Sequence, residues 1–294
     1  MPSPANLSFH AFPRLRKLTS PFSRPAQVVA RSLCLALALT GASILMPVAL
    51  AHAESRPTLD VPYIKTPDAV VQRMLELGKV GPDDYLIDLG SGDGRIPIAA
   101  AVKHGTRGLG VDLDPERTRE AKEGAQAAGV SDKVEFRTEN LFDTDLSEAS
   151  VITMYLFPEI NLRLRPLYLK LKPGTRIVSH AFHMDEWTPD VFEVVEGRDV
   201  FLWTVPAQIE GLWRVDLPNN RGFALRVWQQ FNRVQATAVT IDEHSIPVMD
   251  MSIRGSELRY TLNTLEGKLD FTGSTDGHEM KGKSSAGDWT ARRM

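Results

Sequence analysis

The chain has almost no sulfur chemistry to offer: of its 294 residues one is a cysteine, Cys34. That residue lies in an N-terminal stretch read below as a targeting segment. The remainder can therefore form no disulfide, thiol nucleophile or cysteine metal site, and it tolerates an oxidising compartment. No Gly-Lys-Ser/Thr follows the glycine-rich loop at residues 90–94, which excludes a P-loop there. No internal repeat or low-complexity tract stands out. Basic charge is not in surplus either, with 34 Lys+Arg against 37 Asp+Glu. That balance argues against nucleic-acid binding, which depends on neutralising phosphates. His180 and His183, with Asp185 and Glu186 nearby, invite a metal reading. At a strand end that spacing does not converge on one ion, and no metal is expected.

Residues 1–53 read as targeting rather than fold. Arg14, Arg16, Lys17, Arg24 and Arg31 precede an apolar run at 33–50, which ends in Ala51-His52-Ala53. A positive region, an apolar region and a small-x-small site make a secretory signal peptide. The alternative is a membrane anchor, because the run approaches the roughly 20 residues that span a bilayer. Cys34 precedes the apolar core and so is no lipoprotein acylation site. Of the 34 basic residues this segment holds five and no acidic ones, so cleavage leaves 29 against 37, a balance of −8. The expected location is exported, periplasmic or in the cell envelope; the alternative is anchoring in the inner membrane, with membrane association through this segment.

Beyond residue 58 the chain is organised around residues 85–101, YLIDLGSGDGRIPIAAA. Residues 85–89 read as a short buried strand after the turn signal Gly81-Pro82. Gly90, Gly92 and Gly94 make a tight turn, and a helix follows. Strand, glycine loop and helix N-terminus together present bare backbone N–H groups to a ligand. A dinucleotide fingerprint needs its third glycine three residues after the second; Arg95 stands there, and the third glycine comes early, at Gly94. Residues 107–113 read as a second strand, with Asp112 at its carboxyl end, 22 residues after Gly90. An acidic side chain at that place can accept hydrogen bonds from both hydroxyls of a ribose. Pro115 opens the next helix, and Asp114 is better placed than Asp112 to cap it.

Before this core, residues 59–67 are extended by prolines, and residues 68–77 form an amphipathic helix. After it, residues 133–137 alternate as a strand leading to Glu139 and Asn140, and residues 150–155 form a fourth strand. The loop behind that strand offers Tyr155, Pro158, Glu159 and Asn161 at the place where a second substrate approaches the glycine loop. A helix to Lys172, a strand at 175–179 and a hairpin at 191–205 complete this region. Past Pro206 the helical pattern stops. Alternating segments separated by polar glycine turns predict an antiparallel meander, a small barrel or sandwich, with Trp213 and Trp289 plugging its ends. Such a unit can bind something apolar or serve as a cover.

The stretch Asp88-Leu89-Gly90-Ser91-Gly92-Asp93-Gly94 resembles motif I of class I S-adenosylmethionine-dependent methyltransferases. With residues 61–63 (VPY), Gly110-Val111-Asp112 and residues 187–190 (WTPD), the chain is similar to a group of small membrane-associated lysine methyltransferases. These modify the c-subunit of mitochondrial ATP synthase and the adenine nucleotide translocase, and they have bacterial relatives. The resemblance covers about residues 60–205. It implies an α/β fold with a Rossmann-like seven-stranded sheet at 59–207; the alternating pattern beyond it, a departure from that family, gives the antiparallel all-β domain at 208–294. It implies S-adenosyl-L-methionine as cofactor, with Gly90, Ser91, Gly92 and Gly94 admitting its methionine portion. Asp88 orients the loop or meets the amino group, and Asp112 holds the ribose. Asn140 stands where such families carry an acid against the adenine amino group; its amide oxygen can still accept that hydrogen bond. Leu141 or Phe142 can line the adenine or be core. The segment before the first helix often closes over the cofactor in such enzymes, so Tyr63 and Thr66 are pocket candidates.

A methyl-acceptor partner, a protein lysine or a similar nucleophile, follows from the same resemblance. A lysine must lose a proton before it attacks, and Tyr63, Tyr155, Glu159 and His180 are the candidate catalytic neighbours. The competing reading is a non-catalytic exported protein whose α/β domain binds a nucleotide-like ligand or a partner. An exported enzyme also needs a supply of a cofactor made in the cytosol.

Overall fold

In a computed structural model of the protein, residues 63–218, 221–240, 244–265 and 267–294 are described. The signal or anchor segment at 1–53 lies outside them, as do Val61 and Pro62 of the resemblance. Among the described residues no helix is long and apolar enough to cross a membrane.

The first region runs through α1 (Asp68–Leu77), β1 (Tyr85–Leu89), α2 (Arg95–His104), β2 (Arg107–Asp112), α3 (Pro115–Ala127) and β3 (Val134–Thr138). It continues through β4 (Val151–Met154), α4 (Pro158–Tyr168), β5 (Arg176–His180), β6 (Val191–Val195) and β7 (Arg198–Thr204). The sheet has seven strands in the order β3-β2-β1-β4-β5-β7-β6. β1 lies between β2 and β4 and pairs parallel with both, and β7 runs antiparallel between β5 and β6. The chain thus reverses its direction of build at β1, and a crevice opens beyond the carboxyl ends of β1 and β4.

Both faces of the sheet are covered, which is why its central strands are apolar runs rather than alternations. Leu86 turns to the face packed by Val70, Val71 and Met74 of α1. Ile87 and Leu89 turn to the other, with Leu164 and Tyr168 of α4 and with Trp187 and Trp203. Each such side chain contributes about 1.5–3 kcal/mol by leaving water. α3 begins at Pro115, where the sequence places its opening, and Asp114 caps it by accepting the Glu116 N–H at 2.8 Å.

The second region is a closed eight-stranded antiparallel barrel: β8 (Gly211–Leu217), β9 (Arg221–Gln230), β10 (Arg233–Thr240), β11 (Ser245–Arg254), β12 (Glu257–Thr264), β13 (Gly267–Thr275), β14 (Glu279–Ser284) and β15 (Gly287–Arg293). Pairing of β15 with β8 closes it, so no strand edge is left open. Of the two expected shapes, barrel and sandwich, it takes the barrel. Its inward side chains pack on one another: Tyr260 stacks on Phe271 at 4.5 Å, and Trp289 meets both edge-on. Trp213 is also buried, beside the segment joining the two regions, where its Nε1 donates to the Ile209 carbonyl at 2.8 Å.

Candidate functional site

The glycine loop is fastened to the neighbouring strand before any ligand is considered. The N–H groups of Gly90 and Ser91 both donate to the Val111 carbonyl at 2.9 Å. Asp112 then bridges the loop and the turn into α3: one carboxylate oxygen accepts the Gly92 N–H at 2.8 Å, the other the Asp114 N–H at 2.9 Å. A carboxylate oxygen has two lone pairs, so each keeps one for a hydroxyl in the cleft that Asp112 lines.

Gly92 and Gly94 are needed for different reasons. A Cβ at Gly92 (φ +54°) would stand 2.4 Å from the Tyr63 ring, which lies over the loop. A Cβ at Gly94 (φ +74°) would meet Phe136 at 2.6 Å and Ala121 at 2.8 Å. Gly94 therefore lets α2 start close against β3 and α3, and it is not among the cleft-lining residues. Of the four loop residues expected at the cofactor, Gly90, Ser91 and Gly92 line the cleft. Behind them, Asp88 is buried at the end of β1 and accepts the Thr153 hydroxyl at 2.6 Å. Burial, offset in part by Thr153 and reinforced by the charges of Asp112 and Asp93, raises its carboxyl to about 7.

The segment before α1 is strapped across this loop. Arg95 forks onto Asp93 at 2.9 and 2.6 Å, and its remaining nitrogen donates to the Thr66 carbonyl at 2.8 Å. Burial alone would raise the Asp93 carboxyl, but Arg95 outweighs it and holds the group at about 2. The Arg117 guanidinium lies 4.7 Å above the Tyr63 ring. Burial, then the nearby Asp93, pushes the Tyr63 hydroxyl above its usual range. Tyr63 thus sits at the glycine-loop side of the cleft.

The opposite end, beyond β4, is aromatic. Tyr155, Leu156, Phe157, Ile160 and Phe182 line it. Phe182 stacks on Tyr155 at 6.0 Å and meets Phe157 edge-on at 5.7 Å. His180 is the last residue of β5 and lies fully buried behind Tyr155, ring centroids 3.9 Å apart. Its Nδ1 is 3.1 Å from the Thr66 hydroxyl. Burial, then the charge of Arg198, lowers its pKa to about 4, so the imidazole is neutral at ordinary pH.

The candidate residues therefore separate. Tyr63 and Tyr155 line the cleft; His180 supports Tyr155 from behind; Glu159 is exposed on α4 and does not line it. Asn140 lines the cleft, exposed, with its amide oxygen accepting the Phe142 N–H at 3.0 Å. Leu141 also lines it, whereas Phe142 packs against the core beneath the Arg163 guanidinium. His180 and His183 face separate partners, since His183 Nδ1 accepts the Asp185 N–H at 2.9 Å. Among the described residues no three His, Cys, Asp or Glu gather as a metal site. Sequence reasoning missed Arg117, Phe157 and Phe182. The aromatic pair follow the fourth and fifth strands, where attention to aromatics after strand ends could have found them; nothing in the helix pattern marks Arg117.

Bare backbone at Gly92, a carboxylate with free lone pairs at Asp112, a second carboxyl at Asp88 and apolar walls at Val111, Leu113 and Leu141 fit an amphipathic cofactor with a ribose and a charged amino-acid end. A family model described as the ANTKMT methyltransferase domain matches residues 88–191. The protein-lysine N-methyltransferase of Saccharolobus islandicus (strain REY15A) is 44% identical over 151 residues, 49% of this chain and 94% of that protein. The lysine N-methyltransferase of the ATP synthase C-subunit in Mus musculus is 28% identical over 190 residues, 63% of this chain and 70% of that one. Among solved structures, one described as an RNA methyltransferase from Salinibacter ruber with S-adenosyl-L-homocysteine is 52% identical, covering 50% of this chain and 96% of its own, with a TM-score of 0.49.

Proposed function

The chain belongs to the protein-lysine N-methyltransferase family of class I S-adenosylmethionine-dependent methyltransferases, and from that premise we propose that it methylates the ε-amine of a lysine in a protein of the cell envelope. The observation that carries the acceptor reading is the slot at the end of β4. Its lining there is aromatic and aliphatic, while the charged lining residues, among them Asp88, Asp93, Arg95, Asp112 and Arg117, belong to the glycine-loop side.

A lysine side chain suits such a slot, with four methylenes to lay against Tyr155, Phe157 and Phe182. Leaving water disfavours its charged form, so the slot lowers the ammonium pKa, and the proton that blocks attack passes to solvent water as the side chain enters. When bound, S-adenosylmethionine supplies a methyl group already activated by its sulfonium. What this chain's residues do is positional. Asp112 and the Gly90–Gly92 backbone would hold the nucleoside and amino-acid ends, and the aromatic slot would direct the amine towards the methyl. His180, neutral and fastened to Thr66, keeps the Tyr155 ring in place.

The envelope location rests on the signal-like pattern of residues 1–53 and is tested separately. A phosphatase fused after residue 60, active only outside the cytosol, should be active; silence would place the domain inside. The acceptor test incubates the full-length protein with methyl-labelled S-adenosylmethionine and membrane, envelope and RNA fractions. Label recovered as methyl-lysine supports the proposal. Label in RNA, or in no fraction, overturns it.

A further inference from the structure

Phe182 reaches the acceptor slot on a loop whose backbone is held in costly conformations. Ala181 has φ +68°, and the Phe182 N–H donates to the His180 carbonyl at 2.9 Å. That is a γ-turn of the rare, strained hand. Asp185, four residues on, has φ +53°. Left-handed backbone at non-glycine residues costs about 1–3 kcal/mol apiece and persists only where surroundings over-determine it. Three braces do so here. The Ser179 hydroxyl donates to the Phe182 carbonyl at 2.7 Å, Arg165 of α4 donates to the Met184 carbonyl at 3.1 Å, and Trp187 is buried at the end of the loop.

The third brace depends on the barrel. β9 and β10 are joined by a two-residue turn, Phe231-Asn232, with Phe231 at φ +56°. The first position of such a turn with positive φ is one where glycine is usual, and a bulky residue there is an outlier. The ring accounts for it. Phe231 stacks on Trp187, centroids 5.8 Å apart and planes 12° from parallel, and the Arg165 guanidinium lies 4.9 Å from the centroid of the Phe231 ring. Arg165 is thus shared between the turn and the strained loop. Next to Phe231, Asn232 donates to the Thr188 carbonyl at 3.0 Å and Arg233 to the Thr188 hydroxyl at 2.7 Å. Half of the six non-glycine residues with positive φ among the described residues lie at this junction.

We propose that Phe231 is a positioning residue for methyl transfer: the barrel's β9–β10 turn holds the 181–187 loop in the conformation that presents Phe182 to the acceptor. The proposal rests on the acceptor slot assigned above. It gives the barrel a part in the reaction without a residue in the cleft.

The test compares the full-length protein with Phe231→Ala, Phe231→Leu and Phe231→Tyr. Amide exchange of residues 181–187 should quicken by about 10-fold in Phe231→Ala (roughly 1.4 kcal/mol of lost protection), while residues 88–95 exchange as before. Calorimetric affinity for S-adenosyl-L-homocysteine should stay within about 2-fold. Methyl transfer to the membrane-protein fraction should fall about 10-fold, and Phe231→Tyr should restore both readings. Phe231→Leu, which keeps bulk without a stacking face, serves if the alanine variant does not fold. Unchanged exchange at 181–187, a parallel loss of cofactor affinity, or wild-type transfer from a loosened loop would each overturn the proposal. Absence of transfer by the wild type would instead count against the acceptor reading, and exchange at 181–187 then decides the bracing claim alone.

Discussion

Asp112 carries two duties that pull on the same carboxylate. It fastens Gly92 and Asp114 by their N–H groups and still faces the cleft. Asp112→Ala should therefore weaken S-adenosylmethionine binding by about 10-fold or more in calorimetry, roughly 1.4 kcal/mol, and should also loosen the loop. Unaltered affinity would remove Asp112 from the cofactor site. Asp88 makes a different prediction, one of pH. Its folded carboxyl titrates at about 7, against about 3.9 in an unfolded chain. Between those values the folded state holds a proton that the unfolded state has lost, so stability falls as pH rises from 4 to 7 and is level above. Asp88→Asn stays neutral throughout. Its advantage over the wild type in urea unfolding should grow across that window towards about 4 kcal/mol; a constant difference would mean that Asp88 is not a buried acid.

At the scale of elements, the strand–loop–helix unit at 85–104 is bound together by a glycine that does not line the cleft. Gly94→Ala would force a Cβ into Phe136 and Ala121 at positive φ. We expect it to destabilise the fold by about 2–4 kcal/mol, seen as a lower urea midpoint, with residual folded protein binding cofactor nearly as before. The sequence showed that three glycines were required but not which neighbour required each, because Phe136 and Tyr63 come from elements far along the chain. It is for the same reason that Asp112 was legible and Arg117 was not: a strand end is a local feature, whereas a guanidinium over Tyr63 depends on how α3 lies against the 63–67 segment. In the barrel, the alternation is broken in β11 and β14, which makes these strands the hardest to read from sequence. Pro247 and a shift of register between Met249 and Ser252 interrupt the alternation of β11, and Gly282 dilutes that of β14. A glycine can also mark packing between strands: Trp289 of β15 lies over Gly273 of β13, where a Cβ would come within 2.8 Å of its ring.

At the scale of the whole molecule, the two ends of the cleft are joined through one residue. Thr66 gives its carbonyl to Arg95 on the glycine-loop side and its hydroxyl to His180 behind Tyr155. Residues 63–66 also line the cleft, with Tyr63 lying over Gly92. A cofactor leaving over residues 63–66 would have to lift this strap, which would part Thr66 from His180 and free the Tyr155 wall. A lysine already carrying one methyl group would then lose its seat each time the cofactor is exchanged. The enzyme should therefore work distributively: under excess acceptor, mass spectrometry should find singly methylated lysine accumulating before higher forms appear. Fully methylated product arising with no build-up of the lower forms would show that the acceptor waits in place while the strap opens, and that the two ends of the cleft move independently.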